Sequence, residues 1–267
     1  MAGTAEAVIV DPAANQSEIR IRVAVAGHRG KVGREMERGV EAAPDLEYVG
    51  GVEIGEDLGA FLASARPQAV IDFTHPTSAL ANSLAYARAG ICPVIGTTGF
   101  THEAVDEVEA ACRAAGVGGI IAPNFSVGAV LMMHLADIAA PFFDAAEVIE
   151  MHQDTKADAP SGTAIATARR LGARKKFSYK RPEKVTLESA RGGEEAGVGI
   201  HSVRMPGLVA DQEVLFGLAG QTLSIAHRTN SREAFVPGVL LAVRTVVNGP
   251  QFYRALDTLL GLEIGTR

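Results

Sequence analysis

Between Glu150 and Ala164 the chain reads Glu-Met-His-Gln-Asp-Thr-Lys-Ala-Asp-Ala-Pro-Ser-Gly-Thr-Ala. Histidine is the side chain whose charge changes near neutral pH, and His152 stands four residues before Lys156. Ser161 is a suitable N-cap for the helical pattern Ala164–Leu171, which leaves the amides of Gly162 and Thr163 free to hold an anion. An imidazole, an ammonium and a helix N-terminus this close together can bind a small acid and deliver a proton to it. A capped helix beside an exposed His and Lys produces the same letters, so the stretch alone leaves both readings open.

A second constellation lies near the start. Gly27-His28-Arg29-Gly30-Lys31-Val32-Gly33 is a G-x-x-G-x-x-G loop that follows the β-branched run from Ile21. Glycine permits the tight turn, the approach of a pyrophosphate and close helix–strand packing. The following helix then offers its N-terminal amides to the phosphates. Glu53 comes about twenty residues after Gly33, where a carboxylate accepts hydrogen bonds from the adenosine ribose. The pattern predicts dinucleotide binding. Glu53 favours NADH, because it repels a 2′-phosphate, whereas Arg29 and Lys31 attract one. NADH, NADPH or both are therefore the expected cofactors.

Further candidates sit where strands are predicted to end. Gly96-Thr97-Thr98-Gly99 and Ala122-Pro123-Asn124-Phe125-Ser126 follow two apolar runs, and Asp72-Phe73-Thr74-His75-Pro76 ends another. Ligands of open α/β sheets bind beyond such ends. Each stretch is also an acceptable plain turn.

The elements that must position these residues follow from periodicity. Strands are expected at Ile21–Gly27, Glu47–Glu53, Ala69–Phe73, Pro93–Gly96 and Gly119–Ala122, and helices at Val32–Ala43, Thr77–Ala89 and His102–Ala115. The alternation implies a Rossmann-like, doubly wound α/β domain with a parallel sheet. Later, Val185–Leu187, Ile200–Arg204, Gln212–Phe216 and Leu223–His227 read as strands without intervening helices, so an antiparallel or mixed sheet is expected. Gly238–Val247 reads as a helix returning to the first domain, and Arg174–Glu183 as an exposed, solvated loop. The expected division is a dinucleotide-binding domain of residues 1–126 and 237–267, and a substrate-binding and oligomerisation α+β domain of residues 127–236 with an open mixed sheet.

Composition sets limits. A chain of 267 residues with net charge −6 points to neither a nucleic-acid nor a membrane partner. Met1–Arg20 has no basic, apolar leader and reads as a loose segment with a short strand near Val8–Val10, which places the protein in the cytoplasm. The two cysteines, Cys92 and Cys112, are too few for a disulfide framework, and no Cys/His spacing suggests a metal site.

The motifs Gly27–Gly33, Asp72-Phe73-Thr74, Gly96–Gly99, Pro123–Ser126 and Lys156-x-Asp-Ala-Pro-Ser-Gly-Thr-Ala164, with Ser231-Arg232 later, occur in an order that resembles the 4-hydroxy-tetrahydrodipicolinate reductase family. The likeness spans about Ile21 to Val247. It implies reduction of a cyclic imine made from pyruvate and aspartate semialdehyde, in lysine and diaminopimelate biosynthesis, by a homotetramer built through the open sheet. It further implies His152 as acid/base and Lys156 as second proton donor and carboxylate partner. Gly162 and Thr163 then bind a carboxylate of the small dicarboxylate substrate. Gly27, His28, Arg29, Gly30, Lys31, Val32, Glu53, Gly96, Thr97, Thr98, Ala122, Pro123, Asn124 and Phe125 hold the cofactor. Relatives commonly carry two adjacent histidines. Here the second is Gln153, which hydrogen-bonds substrate without becoming cationic.

Three other readings compete. A related two-domain reductase acting on another cyclic imine or acid is compatible with Gln153. A dinucleotide sensor without turnover needs an effector module, and none is evident. A semialdehyde dehydrogenase needs an activated thiol, and neither cysteine stands in a suitable place.

Overall fold

The structure is a computed structural model that describes residues 20–262. The strand expected near Val8–Val10 lies outside the described residues. The first half alternates β1 (Ile21–Ala26), α1 (Gly33–Ala42), β2 (Leu46–Val52), α2 (Leu58–Ala65), β3 (Ala69–Asp72), α3 (Pro76–Arg88), β4 (Cys92–Ile95), α4 (His102–Ala115) and β5 (Gly119–Ile121).

Later in the chain come α5 (Val127–Ala139), β6 (Ala145–His152), α6 (Gly162–Arg174), β7 (Gly193–Glu195), β8 (Val198–Arg204), β9 (Ala210–Leu218) and β10 (Gln221–His227). The last elements are α7 (Val236–Val246), β11 (Phe252–Tyr253) and α8 (Leu256–Leu259).

Six strands pair in parallel in the order β11-β5-β4-β3-β1-β2. Successive side chains of a strand point to opposite faces, so both faces of this sheet need cover. On one face Val23, Val25, Ile71 and Val94 meet Met36 and Val40 of α1 and Val239, Val243 and Val246 of α7. On the other, Ala24, Val70 and Ile95 meet Leu62 of α2, Leu84 and Tyr86 of α3 and Val108 of α4. The chain moves outward from β1 to β2 and then returns to the opposite side of β1 with β3. The loops after β1 and β3 therefore part, and a crevice opens at the sheet's carboxyl edge.

The second sheet is mixed, in the order β10-β9-β6-β8-β7, with β6 and β8 parallel and the other pairs antiparallel. One face is covered by α5 and α6: Met132, Met133, Ala136, Ala164, Ala168 and Leu171 pack on Ala146, Val148, Val198, Ile200, Val214 and Phe216. The opposite face leaves Val203, paired with Met151, 37% exposed.

Two local expectations change. Val185–Leu187 is not a strand. It lies in the irregular segment between α6 and β7, with Val185 65% and Leu187 72% exposed, and the edge strand is Gly193–Glu195 instead. The segment after Arg174 is irregular as expected, yet Phe177 is buried and anchors it to the core under the second sheet. Among the described residues no helix is long and apolar enough to cross a membrane.

Candidate functional site

The strands of the second sheet carry apolar rows that turn polar at one end. On the helix-covered face, β6 presents Ala146, Val148, Glu150 and His152 at every second position, and the first three are buried. In the pairing with β8, Glu150 stands opposite Ser202 and His152 opposite Arg204. In the pairing with β9, Glu150 stands opposite Gln212 and His152 opposite Ala210. Glu150 thus occupies a core position with no exposed surface.

Its carboxylate is held from several directions. Arg204 donates to both oxygens, at 2.9 and 2.8 Å, the amide of Ser161 donates at 3.3 Å, and Nδ1 of His152 completes the set. Burial raises the Glu150 carboxyl, but hydrogen bonds from Arg204, Ser202 and His152 outweigh it and hold the group below its ordinary range. A buried carboxylate is tolerated only with such partners.

The loop from Gln153 to Pro160 closes this corner. The amide of Lys156 donates to the carbonyl of Gln153 at 3.2 Å, in a turn that leaves both residues half-buried. Nζ of Lys156 donates to Asp158 at 2.6 Å, and Arg204 also donates to the carbonyl of Asp158 at 2.7 Å. Helix α6 begins at Gly162 as its cap predicts. Ser161 Oγ accepts from the amide of Ala164 at 3.2 Å, which leaves the amides of Gly162 and Thr163 outside the capping bond. Gly162 is exposed, with open space where a side chain would stand. His152, Gln153, Lys156 and the α6 N-terminus are therefore neighbours, joined through Glu150 and Arg204.

The dinucleotide candidates gather at the carboxyl edge of the first sheet. Gly27 has φ +77°, and a side chain there would come within 2.7 Å of the Phe73 carbonyl. At Gly33 a side chain would collide with the Gly27 carbonyl. Helix α1 starts after Val32 without a side-chain cap; the amides of Arg34, Glu35 and Met36 donate to the carbonyls of Gly30 and Val32, and that of Gly33 makes no backbone hydrogen bond. Glu53 accepts a 2.6 Å hydrogen bond from the amide of Arg29, and Arg29 pairs with Glu56 at 3.2 Å. The His28 ring covers Gly51, while Lys31 is exposed. A groove of about 360 Å³ is bounded by Gly27, Gly30, Glu53, Phe73 and Thr74.

A neighbouring cavity of about 380 Å³ is lined by Thr97, Thr98, Gly99, Ala122 and Pro123. Gly96 lets the Phe73 ring lie against its backbone, and Phe73 meets Phe125 edge-on at 6.2 Å. Asn124 accepts from the amide of Ser126 at 2.8 Å and shapes the turn into α5. Beneath both cavities lies Asp72, fully buried. It accepts from Thr74 N and Oγ1 at 3.0 and 2.6 Å, from Thr97 Oγ1 at 2.9 Å and from Tyr86 Oη at 2.9 Å. Burial first, and the Asp72 charge second, push the Tyr86 phenol well above its usual value, so it remains a donor.

Both cysteines are buried, Cys92 on β4 and Cys112 in α4. Burial raises both thiols, that of Cys112 to about 12 with help from Cys92 and Glu109, so neither is a poised nucleophile.

Glu150 and Arg204 are the site residues that sequence reasoning did not single out. For Glu150 a signal existed: it precedes His152 by two on a strand and so shares its face. Arg204 comes next to them only through the pairing of β6 with β8.

Comparisons with known proteins accord with this arrangement. Residues 21–125 match the family model "Dihydrodipicolinate reductase, N-terminus", and residues 128–260 match "Dihydrodipicolinate reductase, C-terminus". A 4-hydroxy-tetrahydrodipicolinate reductase of Moorella thermoacetica is 47% identical over 261 residues, covering 90% of this chain and 98% of that protein. One from Mycolicibacterium smegmatis is 49% identical over 246 residues, covering 91% and 100%. A dipicolinate-bound dihydrodipicolinate reductase from Paenisporosarcina superposes with a TM-score of 0.80 at 35% identity, over 90% of this chain and 99% of that one.

Proposed function

The chain belongs to the dihydrodipicolinate reductase family, and from that premise we propose that it reduces 4-hydroxy-tetrahydrodipicolinate to tetrahydrodipicolinate with loss of water, in lysine and diaminopimelate biosynthesis, using NADH or NADPH. The observation that carries the reading is the match of residues 21–125 and 128–260 to the two family models, and the hydrogen bonds that link His152 to Ser161 through Glu150, and Glu150 to the Lys156 loop through Arg204, support it. In this reading residues 1–126 and 237–267 hold the dinucleotide, and residues 127–236 hold the substrate and make the oligomer.

The glycine cradle fits a dinucleotide. The tight turn depends on glycine at Gly27 and Gly33, where side chains would strike the Phe73 and Gly27 carbonyls, and it brings the loop backbone to the start of α1, where a pyrophosphate would lie. Glu53 and the loop from Gly27 to Val32 take the adenosine half. Gly96, Thr97, Thr98 and Ala122–Phe125 take the nicotinamide half, with Asp72 fixing the hydroxyl of Thr97. A nicotinamide held there would supply the hydride that adds to the ring carbon from which the hydroxyl has left as water.

The protein's own residues bind and protonate. The amides of Gly162 and Thr163, with the ammonium of Lys156, hold substrate carboxylates and oppose the negative charge that develops. Gln153 adds an uncharged hydrogen bond. As electrons move toward the imine nitrogen, a proton must reach the enamine carbon, and His152 gives it directly or through water. The balance is one hydride and one proton taken up and one water released. Closure of the two halves excludes bulk water from this step. The open face of the second sheet, with Val203 exposed on it, supports assembly as a homotetramer, and the same reading places the enzyme in the cytoplasm.

The test is oxidation of NADH and NADPH in the presence of freshly condensed pyruvate and aspartate semialdehyde. Turnover is expected with this mixture and not with either precursor alone, with competition by pyridine-2,6-dicarboxylate. Oxidation of the dinucleotide with some other cyclic imine but not with this one would overturn the substrate assignment.

A further inference from the structure

Glu150 takes a place that the pattern of its strand reserves for an apolar side chain. Ala146 and Val148 before it belong to the core against α5 and α6, and Glu150 is as fully buried as Val148. A carboxylate there needs a function to outweigh the loss of its hydration. Its partners indicate one. The carboxylate receives Nδ1 of His152, both terminal nitrogens of Arg204 and the amide of Ser161. Arg204 in turn holds the carbonyl of Asp158, the residue paired with Lys156. One buried anion thus ties together the imidazole, the lysine loop and the helix N-terminus.

We infer that Glu150 is a positioning residue: it holds His152 with Nδ1–H directed into the protein and Nε2 directed toward substrate, and it stabilises the imidazolium that delivers the proton. An imidazole whose Nδ1–H is donated to a carboxylate is fixed in orientation and tautomer, and its other nitrogen becomes the one that exchanges protons. Arg204 balances the carboxylate, so that the corner does not accumulate negative charge where a dianionic substrate must bind. The charged groups next to the imidazole are Glu150 on its own strand and Arg204 on β8, and Arg204 links them to the loop through the carbonyl of Asp158, whose carboxylate pairs with Lys156. The residue opposite His152 on β9, Ala210, carries no charge.

This inference rests on the catalytic role proposed for His152, and the two are separable. In the holoenzyme, Glu150→Gln keeps the shape and removes the charge. It is expected to lower kcat about 10- to 100-fold with little change in KM. The limb of the kcat profile that falls with rising pH should move about one pH unit or more toward acid, because the imidazolium has lost its anion. In a His152→Gln background the same replacement should cost nothing further, whereas a purely structural Glu150 would cost as much in both backgrounds. If His152→Gln alone leaves turnover intact, the acid/base role of His152 fails, and the positioning role with it. If His152→Gln is slow but Glu150→Gln matches the wild type in rate and pH profile, the positioning role fails. A measurement on the unaltered protein covers the case in which Glu150→Gln does not fold. Nitrogen-15 spectra of the neutral His152 ring should show the proton on Nδ1, and a proton on Nε2 would overturn the inference.

Discussion

The ammonium of Lys156 lies 2.6 Å from the carboxylate of Asp158, two residues further along the same loop. Asp158 is 59% exposed, and the pair draws the Asp158 carboxyl below its ordinary range, mainly through the lysine hydrogen bond. An exposed pair of this kind contributes no more than about 1 kcal/mol, so a dianionic ligand can take the lysine over. Lys156→Ala should therefore weaken inhibition by pyridine-2,6-dicarboxylate about 10- to 100-fold and lower kcat. Inhibition constants measured at fixed NADH test this, and an unchanged constant would remove Lys156 from the carboxylate site.

Arg204 is the cation that makes Glu150 tolerable in the core. Arg204→Met should destabilise the protein by about 3–5 kcal/mol, because it leaves a buried charge uncompensated. Denaturant unfolding at neutral pH measures the loss.

The pH dependence of stability follows from the same group. The folded protein holds the Glu150 carboxyl below the 4.5 of a free glutamate. A depressed carboxyl contributes stability above its unfolded value and loses it as pH falls through the folded value. Wild-type stability should therefore fall below about pH 4.5, and Glu150→Gln should lose less over that range. Thermal unfolding midpoints between neutral and acid pH check the direction, and parallel curves for the two proteins would contradict it.

In the proposed cofactor site Glu53 and Arg29 would compete over the ribose end of the dinucleotide. The Glu53 carboxylate is joined to the amide of Arg29, at the mouth of the groove that Gly27 and Gly30 line. Glu53→Ala should lower kcat/KM for NADH about tenfold and shift preference toward NADPH, since the repulsion of a 2′-phosphate is gone. Arg29→Ala should shift it the other way. The ratio of the two kcat/KM values is the readout.

The legible parts of the molecule are those encoded over short distances. The run Ile21–Ala26, the glycine loop and α1 follow one another in sequence as they do in space, so strand, turn and helix chemistry identify them together. Ser161 as cap and Lys156 beside His152 are likewise local. Val185–Leu187 was misleading for a physical reason. A short apolar run reads as a strand, but no strand is placed to pair with it, and it stays in an exposed segment. Helix α5 escaped notice because Val127–Ala139 is apolar around most of its circumference and shows little periodicity. The Glu150–Arg204 pair is 54 residues apart in the chain, and nothing in either neighbourhood announces the other. Tertiary pairing creates that part of the site.

The most direct test of the account is single-turnover reduction of the freshly condensed substrate by wild type and His152→Gln, each preloaded with NADH. The account predicts that the wild type oxidises the dinucleotide only when the substrate is present. It predicts that the variant binds pyridine-2,6-dicarboxylate with similar affinity yet turns over about 100-fold or more slowly. Equal rates in the two proteins, or no oxidation by the wild type, would contradict it.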